Sequence, residues 1–188
     1  MINNWVNSLV ASFISTSVAE LGDKTQLMVI ALSAGGDKRL VFPGAMLALT
    51  LSTTLSVFFG NTLSTLIPTY LVNVFASLFF VVTGFYMIFK RGRREVSFRK
   101  GGNLFWTSFI SVFLAELGDK TQLATIALAA RYGVALPVFT GCTLGFVVLT
   151  LVGMALGEQL SKKLPEKALK VATGAIFIVV GLFLLFKG

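Results

Sequence analysis

Ala19-Glu20-Leu21-Gly22-Asp23-Lys24-Thr25-Gln26-Leu27 recurs unchanged as Ala115-Glu116-Leu117-Gly118-Asp119-Lys120-Thr121-Gln122-Leu123. Each copy lies inside a long apolar stretch. Together they hold four of the chain's eight acidic residues, Glu20, Asp23, Glu116 and Asp119. A carboxylate at the centre of a bilayer costs about 3 kcal/mol on insertion scales, so acids are rare there without a task. A duplicated acidic motif in apolar helices points to a cation pathway built from two related halves.

The surrounding composition agrees. The chain of 188 residues is 55% hydrophobic and only 13% charged, against about 25% charged in soluble domains. Its mean hydropathy is +0.86. Several apolar runs exceed the roughly 18 residues that cross a hydrocarbon core, and no alternating ten-residue segments suggest a barrel. The net charge of +8 raises nucleic acid as a partner. The basic residues, however, cluster in short loops between apolar segments, where membrane topology explains them, so no nucleic-acid partner is expected. The single cysteine, Cys142, lies in an apolar segment and allows no disulfide framework. Histidine is absent, which removes the commonest catalytic base and transition-metal ligand. No nucleophile–base pairing and no cofactor motif is present, so neither an enzyme nor a cofactor is expected. The opening Met1-Ile2-Asn3-Asn4-Trp5 lacks the basic region of a signal peptide, and the first apolar stretch reads as a retained helix.

Six spans are expected, at about residues 5–33, 40–67, 70–89, 103–130, 135–160 and 168–186. The first and fourth carry the motifs, and a basic loop, Lys90–Gly102, joins the halves. Similarity extends beyond the motif. Ser12–Ser15 repeats as Ser108–Ser111 and Ile30–Leu32 as Ile126–Leu128, both displaced by 96. Gly60, Leu63, Ser64 and Pro68 match Gly157, Leu160, Ser161 and Pro165, displaced by 97. The fold expected is therefore an all-α membrane protein of two three-helix repeats, residues 1–95 and 96–188. An odd number of spans per unit forces successive copies into opposite orientations, giving inverted repeats.

Charge tests this arrangement. On the side away from the termini fall Lys38, Arg39, Lys90, Arg91, Arg93, Arg94, Arg99, Lys100, Lys162, Lys163, Lys167 and Lys170. Arg131 and Lys187 fall on the side of the termini. Twelve against two is a strong positive-inside bias. It predicts a cytoplasmic basic loop and both termini outside.

If each motif is one continuous helix, Glu20 and Asp23 share a face, as do Glu116 and Asp119. Inverted repeats bring the two motifs together near the midplane. Four carboxylates converging there repel one another unless a cation joins them. Four carboxylates and the two lysines, Lys24 and Lys120, sum to −2, which one divalent ion neutralises. Thr25, Thr121, Gln26 and Gln122 add neutral oxygens, and an all-oxygen set suits Mg²⁺, Ca²⁺ and Mn²⁺. Gly22 and Gly118 weaken the helix and allow it to unwind. A plainer reading pairs Glu20 with Lys24 and Glu116 with Lys120, four apart, as helix-stabilising ion pairs; it leaves Asp23 and Asp119 unused. Gly141-x₃-Gly145 and Gly153-x₃-Gly157 read as close helix contacts. The hydroxyls of Ser52, Thr53, Thr54 and Ser56 read as bonding back to their own helix more readily than lining a path. Glu158 reads as an interfacial residue rather than a ligand.

The repeated Glu-Leu-Gly-Asp-Lys-Thr, Glu20–Thr25 and Glu116–Thr121, resembles the signature of a family of small cation exporters. That family includes eukaryotic Golgi manganese/calcium transporters and bacterial manganese exporters of the MneA type. The resemblance covers the whole chain. It implies export of Mn²⁺, with Ca²⁺ as a second substrate, in exchange for H⁺ or Na⁺, across a bacterial inner membrane. It further implies that Glu20, Asp23, Glu116 and Asp119 bind the ion, and Gln26 and Gln122 extend this set. Gly22, Lys24, Thr25, Gly118, Lys120 and Thr121 complete the motifs. The residues alone reach only a hard divalent cation. Competing readings are a monovalent cation/proton antiporter, a channel or magnesium transporter, an amino-acid exporter, and a structural protein whose ion pairs only hold helices.

Overall fold

A computed structural model describes residues 2–34, 36–89, 103–163 and 166–186. Among these the chain forms eight α-helices and no strand. They are α1 (Ile2–Glu20), α2 (Lys24–Ala34), α3 (Lys38–Leu66), α4 (Thr69–Phe89), α5 (Leu104–Glu116), α6 (Lys120–Tyr132), α7 (Ala135–Lys163) and α8 (Glu166–Phe186). The basic loop Lys90–Gly102, Lys187, and the side chains of Glu158, Lys162, Lys163, Lys167 and Lys170 lie outside the described residues.

Four of the expected spans appear as the unbroken helices α3, α4, α7 and α8. The two motif-bearing spans do not appear as single helices. Each is split at Leu-Gly-Asp into two half-helices, α1/α2 and α5/α6. Local chemistry marks the other boundaries. Asp37 caps α3 by accepting from the Arg39 amide at 2.9 Å, and Asn103 caps α5 by accepting from Phe105 at 2.9 Å. Gly133, at φ 62°, closes α6 in the left-handed conformation.

The lengths of the unbroken helices follow the sequence repeat, whereas α1 has 19 residues and α5 13. Helices α3 and α7 both have 29 residues, α4 and α8 both have 21. The half-helices α2 and α6 have 11 and 13, so the two halves fall out of register where the offset moves from 96 to 97. Packing is reciprocal. Helix α1 docks on α7 and α5 on α3; α2 contacts α7 and α6 contacts α3; α4 lies along α8. Each broken helix thus packs on the first unbroken helix of the other half.

Glycine sets the closest approaches. A Cβ at Gly141 would stand 2.3 Å from the Leu9 carbonyl oxygen, and one at Gly44 would stand 2.3 Å from that of Phe105. Gly84 and Gly174 face each other across α4 and α8 in the same way, each 2.6 Å from the other's carbonyl. The expected close contact at Gly141 and Gly145 is present, against α1, and Gly153 packs on the Gln26 side chain.

Many polar side chains are buried beside an apolar core that includes Leu49, Phe80, Leu128 and Phe177, while large apolar side chains face outward. Ser8, Ser12, Ser15, Thr16, Glu20, Asp23, Ser52, Thr53, Ser56, Ser108, Glu116 and Thr121 are all buried. Phe58, Phe59, Phe75, Val82, Leu114 and Val179 are each more than half exposed. Water would penalise such a surface, whereas hydrocarbon accepts it. Lys38–Leu66 and Ala135–Ala155 are each long and apolar enough to cross a membrane unaided, and Tyr70–Tyr86, Leu104–Glu116 and Gly174–Phe186 are shorter apolar stretches. On α3 the hydroxyls of Thr53, Thr54 and Ser56 bond back to the carbonyls of Leu49, Thr50 and Ser52, as expected of membrane helices. Cys142 is fully buried, 3.6 Å from the Thr125 hydroxyl.

Candidate cation site

Leu-Gly-Asp is a stop signal followed at once by a start signal. Gly22 and Gly118 adopt φ of 67° and 72°, the left-handed region that ends a helix. Asp119 is the N-cap of α6, in extended conformation, and Asp23 precedes α2, accepting from the Lys24 amide at 2.7 Å. Each break is held by a glutamine one turn on. The Gly22 amide donates to Gln26 Oε1 at 2.6 Å, and the Gly118 amide donates to Gln122 Oε1 at 2.7 Å. Gln26 Nε2 then reaches the Leu149 carbonyl on α7 at 3.3 Å, and Gln122 Nε2 reaches Ser52 Oγ on α3 at 3.5 Å. Residues 52 and 149 correspond in the repeat, so the two glutamines reach matching positions, one through a backbone carbonyl and the other through a hydroxyl. Both amide oxygens face backbone, not the carboxylates, in this structure.

The break changes the expected geometry of the acids. Glu20 ends α1 while Asp23 immediately precedes α2, so they do not share a helix face, and the same is true of Glu116 and Asp119. Nor do the lysines pair with the glutamates of their own motifs. Lys24 lies 3.1 Å from Asp119, and Lys120 pairs with Asp23 and stands 3.8 Å from Asp119. The threonines cross over too. Thr25 Oγ1 donates to Glu116 Oε1 and Thr121 Oγ1 to Glu20 Oε1, both at 2.5 Å. Every ion pair and hydroxyl bond named here but the Lys120–Asp119 contact joins one repeat to the other. The i, i+4 pairs of the plainer reading do not form, because a helix break at glycine replaces the continuous turn they require.

The two breaks meet in the centre of the bundle. Glu20, Glu116 and Asp119 each present a carboxylate oxygen, all within 4.8 Å of one another. A point among them lies within about 2.8 Å of each oxygen, against about 2.0–2.6 Å in oxygen-ligated Mg²⁺ and Ca²⁺ sites. A small contraction would bring these three oxygens to that distance, as part of a six- to eight-oxygen shell. Glu20 and Glu116 are 3% and 1% exposed, so water screens their mutual repulsion little and a cation between them would relieve it. Asp23, also buried, falls outside this trio and is held by Lys120. A cavity of about 10 Å³, room for roughly one water, lies beside Glu20, Thr25 and Gln26. The two sides of the site differ: the Lys24 and Asp119 side chains are 35% and 18% exposed, those of Lys120 and Asp23 only 14% and 6%.

Sequence reasoning missed two features. The crossed lysine and threonine contacts were out of reach, since they need the relative placement of the halves. The second feature was legible. Ser8, Ser12 and Thr16 precede Glu20 at intervals of four and form a buried hydroxyl row along α1, whereas α5 has Leu104, Ser108 and Val112 at the matching places.

A family model described as divalent cation/proton antiporter GDT1 matches residues 8–95 and 104–188. A putative manganese exporter of Vibrio cholerae is 32% identical over 177 residues, 93% of this chain and 88% of the relative. A GDT1-like protein of Synechocystis is 27% identical over 194 residues, 92% of this chain and 93% of its own. GDT1-like protein 3 of Arabidopsis thaliana is 27% identical over 200 residues, covering 92% and 68%. No solved structure matches. The chain is a membrane transport protein and belongs to the GDT1 family of divalent cation/proton antiporters.

Proposed function

We propose that the protein exports Mn²⁺, with Ca²⁺ as a second substrate, in exchange for protons, by alternating access at one central site. The observation that carries this reading is the gathering of Glu20, Glu116 and Asp119 at two helix breaks. The naming of the Vibrio relative as a putative manganese exporter supports the choice of metal. Asp23 joins the shell when Lys120 withdraws, and Lys24 releases Asp119 in the same step. The lysines are internal counter-ions that hold the acids together between cargoes. Protons entering the same carboxylates expel the metal, so exchange needs no separate proton site.

The site is proposed to lie at the midplane of six membrane spans, with α1/α2 and α5/α6 each counting as one broken span. Matching helix lengths, reciprocal packing and the family match to both halves support two inverted repeats, residues 1–95 and 96–188. The positive-inside bias supports an inner-membrane protein with its termini outside and the basic loop in the cytoplasm. Transport into everted vesicles tests the reading. Mn²⁺ uptake driven by an inward-acidic gradient, abolished in Asp119→Asn, is expected. Na⁺-driven flux, amino-acid flux or gradient-independent flux would overturn it in favour of the corresponding alternative.

A further inference from the structure

A second site lies where α1, α6 and α8 meet, away from the carboxylates. A cavity of about 610 Å³ opens there, within the range of small-molecule and lipid pockets, roughly 300–1,000 Å³. Its apolar wall includes Ile14 of α1 with Val179 and Phe183 of α8, and its polar end includes Asn4, Asn7 and Tyr132. Among the described residues Arg131 is the one cation that lines it.

Arg131 is not part of the duplicated machinery, because residue 35, its counterpart at an offset of 96, is glycine. Its Nη1 donates to Asn73 Oδ1 on α4, while its Nε–H is buried with no partner. An unsatisfied buried donor on a cation is costly and rare. It also stands on the side of the bundle that carries few basic residues, so membrane orientation does not account for it.

We propose that this cavity holds an acidic phospholipid of the adjoining leaflet. The phosphate takes the free edge of the Arg131 guanidinium, whose planar fork suits phosphate oxygens. Asn4, Asn7 and Tyr132 supply further donors. One acyl chain lies along Ile14, Val179 and Phe183. The apolar wall selects an amphiphile over a free anion, and the guanidinium selects an acidic headgroup over a zwitterionic one.

The test uses the full-length protein in neutral detergent, with thermal unfolding followed after adding phosphatidylglycerol, phosphatidylcholine or inorganic phosphate. Phosphatidylglycerol is expected to raise Tm more than phosphatidylcholine, and phosphate to have no effect. Arg131→Gln should remove much of that difference and Arg131→Lys should keep part of it. The basic residues elsewhere contribute equally in all variants. Ile14→Trp, which fills the apolar wall and leaves the guanidinium intact, should also reduce the difference and gives a second reading if Arg131→Gln fails to fold. An unchanged phosphatidylglycerol preference in both variants overturns the proposal. So does a shift with phosphate equal to that with phosphatidylglycerol.

Discussion

Thr121 on α6 donates a 2.5 Å hydrogen bond to Glu20 at the end of α1, and Thr25 on α2 makes the same bond to Glu116 at the end of α5. Each repeat therefore aims the carboxylate of the other. Bonds of this kind fix a ligand's rotamer, and losing one costs about 10- to 100-fold in metal affinity or activity. Thr121→Val keeps the shape and deletes the donor. It is expected to raise the KM for Mn²⁺ about tenfold, with Thr121→Ser retaining activity near wild type. Thr25→Val should behave alike, since the two bonds are equivalent. Initial-rate uptake in vesicles reads the result. Unchanged KM in both valine variants would show that the threonines do not position the acids.

Gly118 isolates the cost of the helix break. Its φ is +72° and a Cβ would meet nothing within 4 Å, so substitution strains the backbone without a clash. Left-handed backbone costs an L-residue roughly 1–2 kcal/mol, and asparagine tolerates it better than alanine. Gly118→Ala should therefore lower thermal stability by about that amount, with Gly118→Asn falling between it and the wild type. If alanine is neutral, the break does not depend on glycine.

The unbroken helices were readable because a long apolar run admits few other structures. The duplication was readable because residues 12–15 and 30–32 recur at a fixed offset. The break itself was half-legible. Glycine signalled a weak point, but Gly-Asp is more specific than that: a left-handed C′ residue followed by an N-cap. Treating the motif as one helix then led to the pairings Glu20–Lys24 and Glu116–Lys120. The true partners, Asp119 for Lys24 and Asp23 for Lys120, lie in the opposite repeat. Spacing within one motif carries no information about contacts made between the two halves of the chain. The glutamines illustrate the same limit. An amide oxygen near acids reads as a ligand, yet here it accepts from the glycine that the break leaves exposed.

The crossed ion pairs differ in burial, and this asymmetry is testable. Lys120 and Asp23 are the more enclosed pair, at 14% and 6% exposure. Removing one partner of a buried pair leaves an uncompensated charge and costs about 3–5 kcal/mol, whereas removing both is often close to neutral. Lys120→Met should therefore destabilise strongly, and Lys120→Met/Asp23→Asn should recover much of the loss. Lys24→Met should cost less, because Lys24 is 35% exposed and water screens Asp119. Thermal unfolding of the purified variants, without added metal, checks the order. Equal losses for the two lysines would contradict the asymmetry.

Gly44 and Gly141 provide the sharpest test that the two halves pack reciprocally. A Cβ at either would stand 2.3 Å from a facing carbonyl oxygen, that of Phe105 or Leu9. Backbone cannot swing aside as a side chain does, so the helices must separate. Overpacking of this kind costs about 1–3 kcal/mol. Gly44→Ala forces α5 from α3, and Gly141→Ala forces α1 from α7. Each displaced helix ends in a site glutamate, Glu116 in one case and Glu20 in the other. Both substitutions should therefore lower Tm and weaken Mn²⁺ uptake together. Gly84→Ala, between α4 and α8, also meets a facing carbonyl, at 2.6 Å, but lies on helices that carry none of the three gathered carboxylates. It should lower Tm with a smaller effect on the KM for Mn²⁺. A loss of uptake in Gly84→Ala matching that of the other two would mean that general destabilisation, not displacement of the glutamates, governs transport.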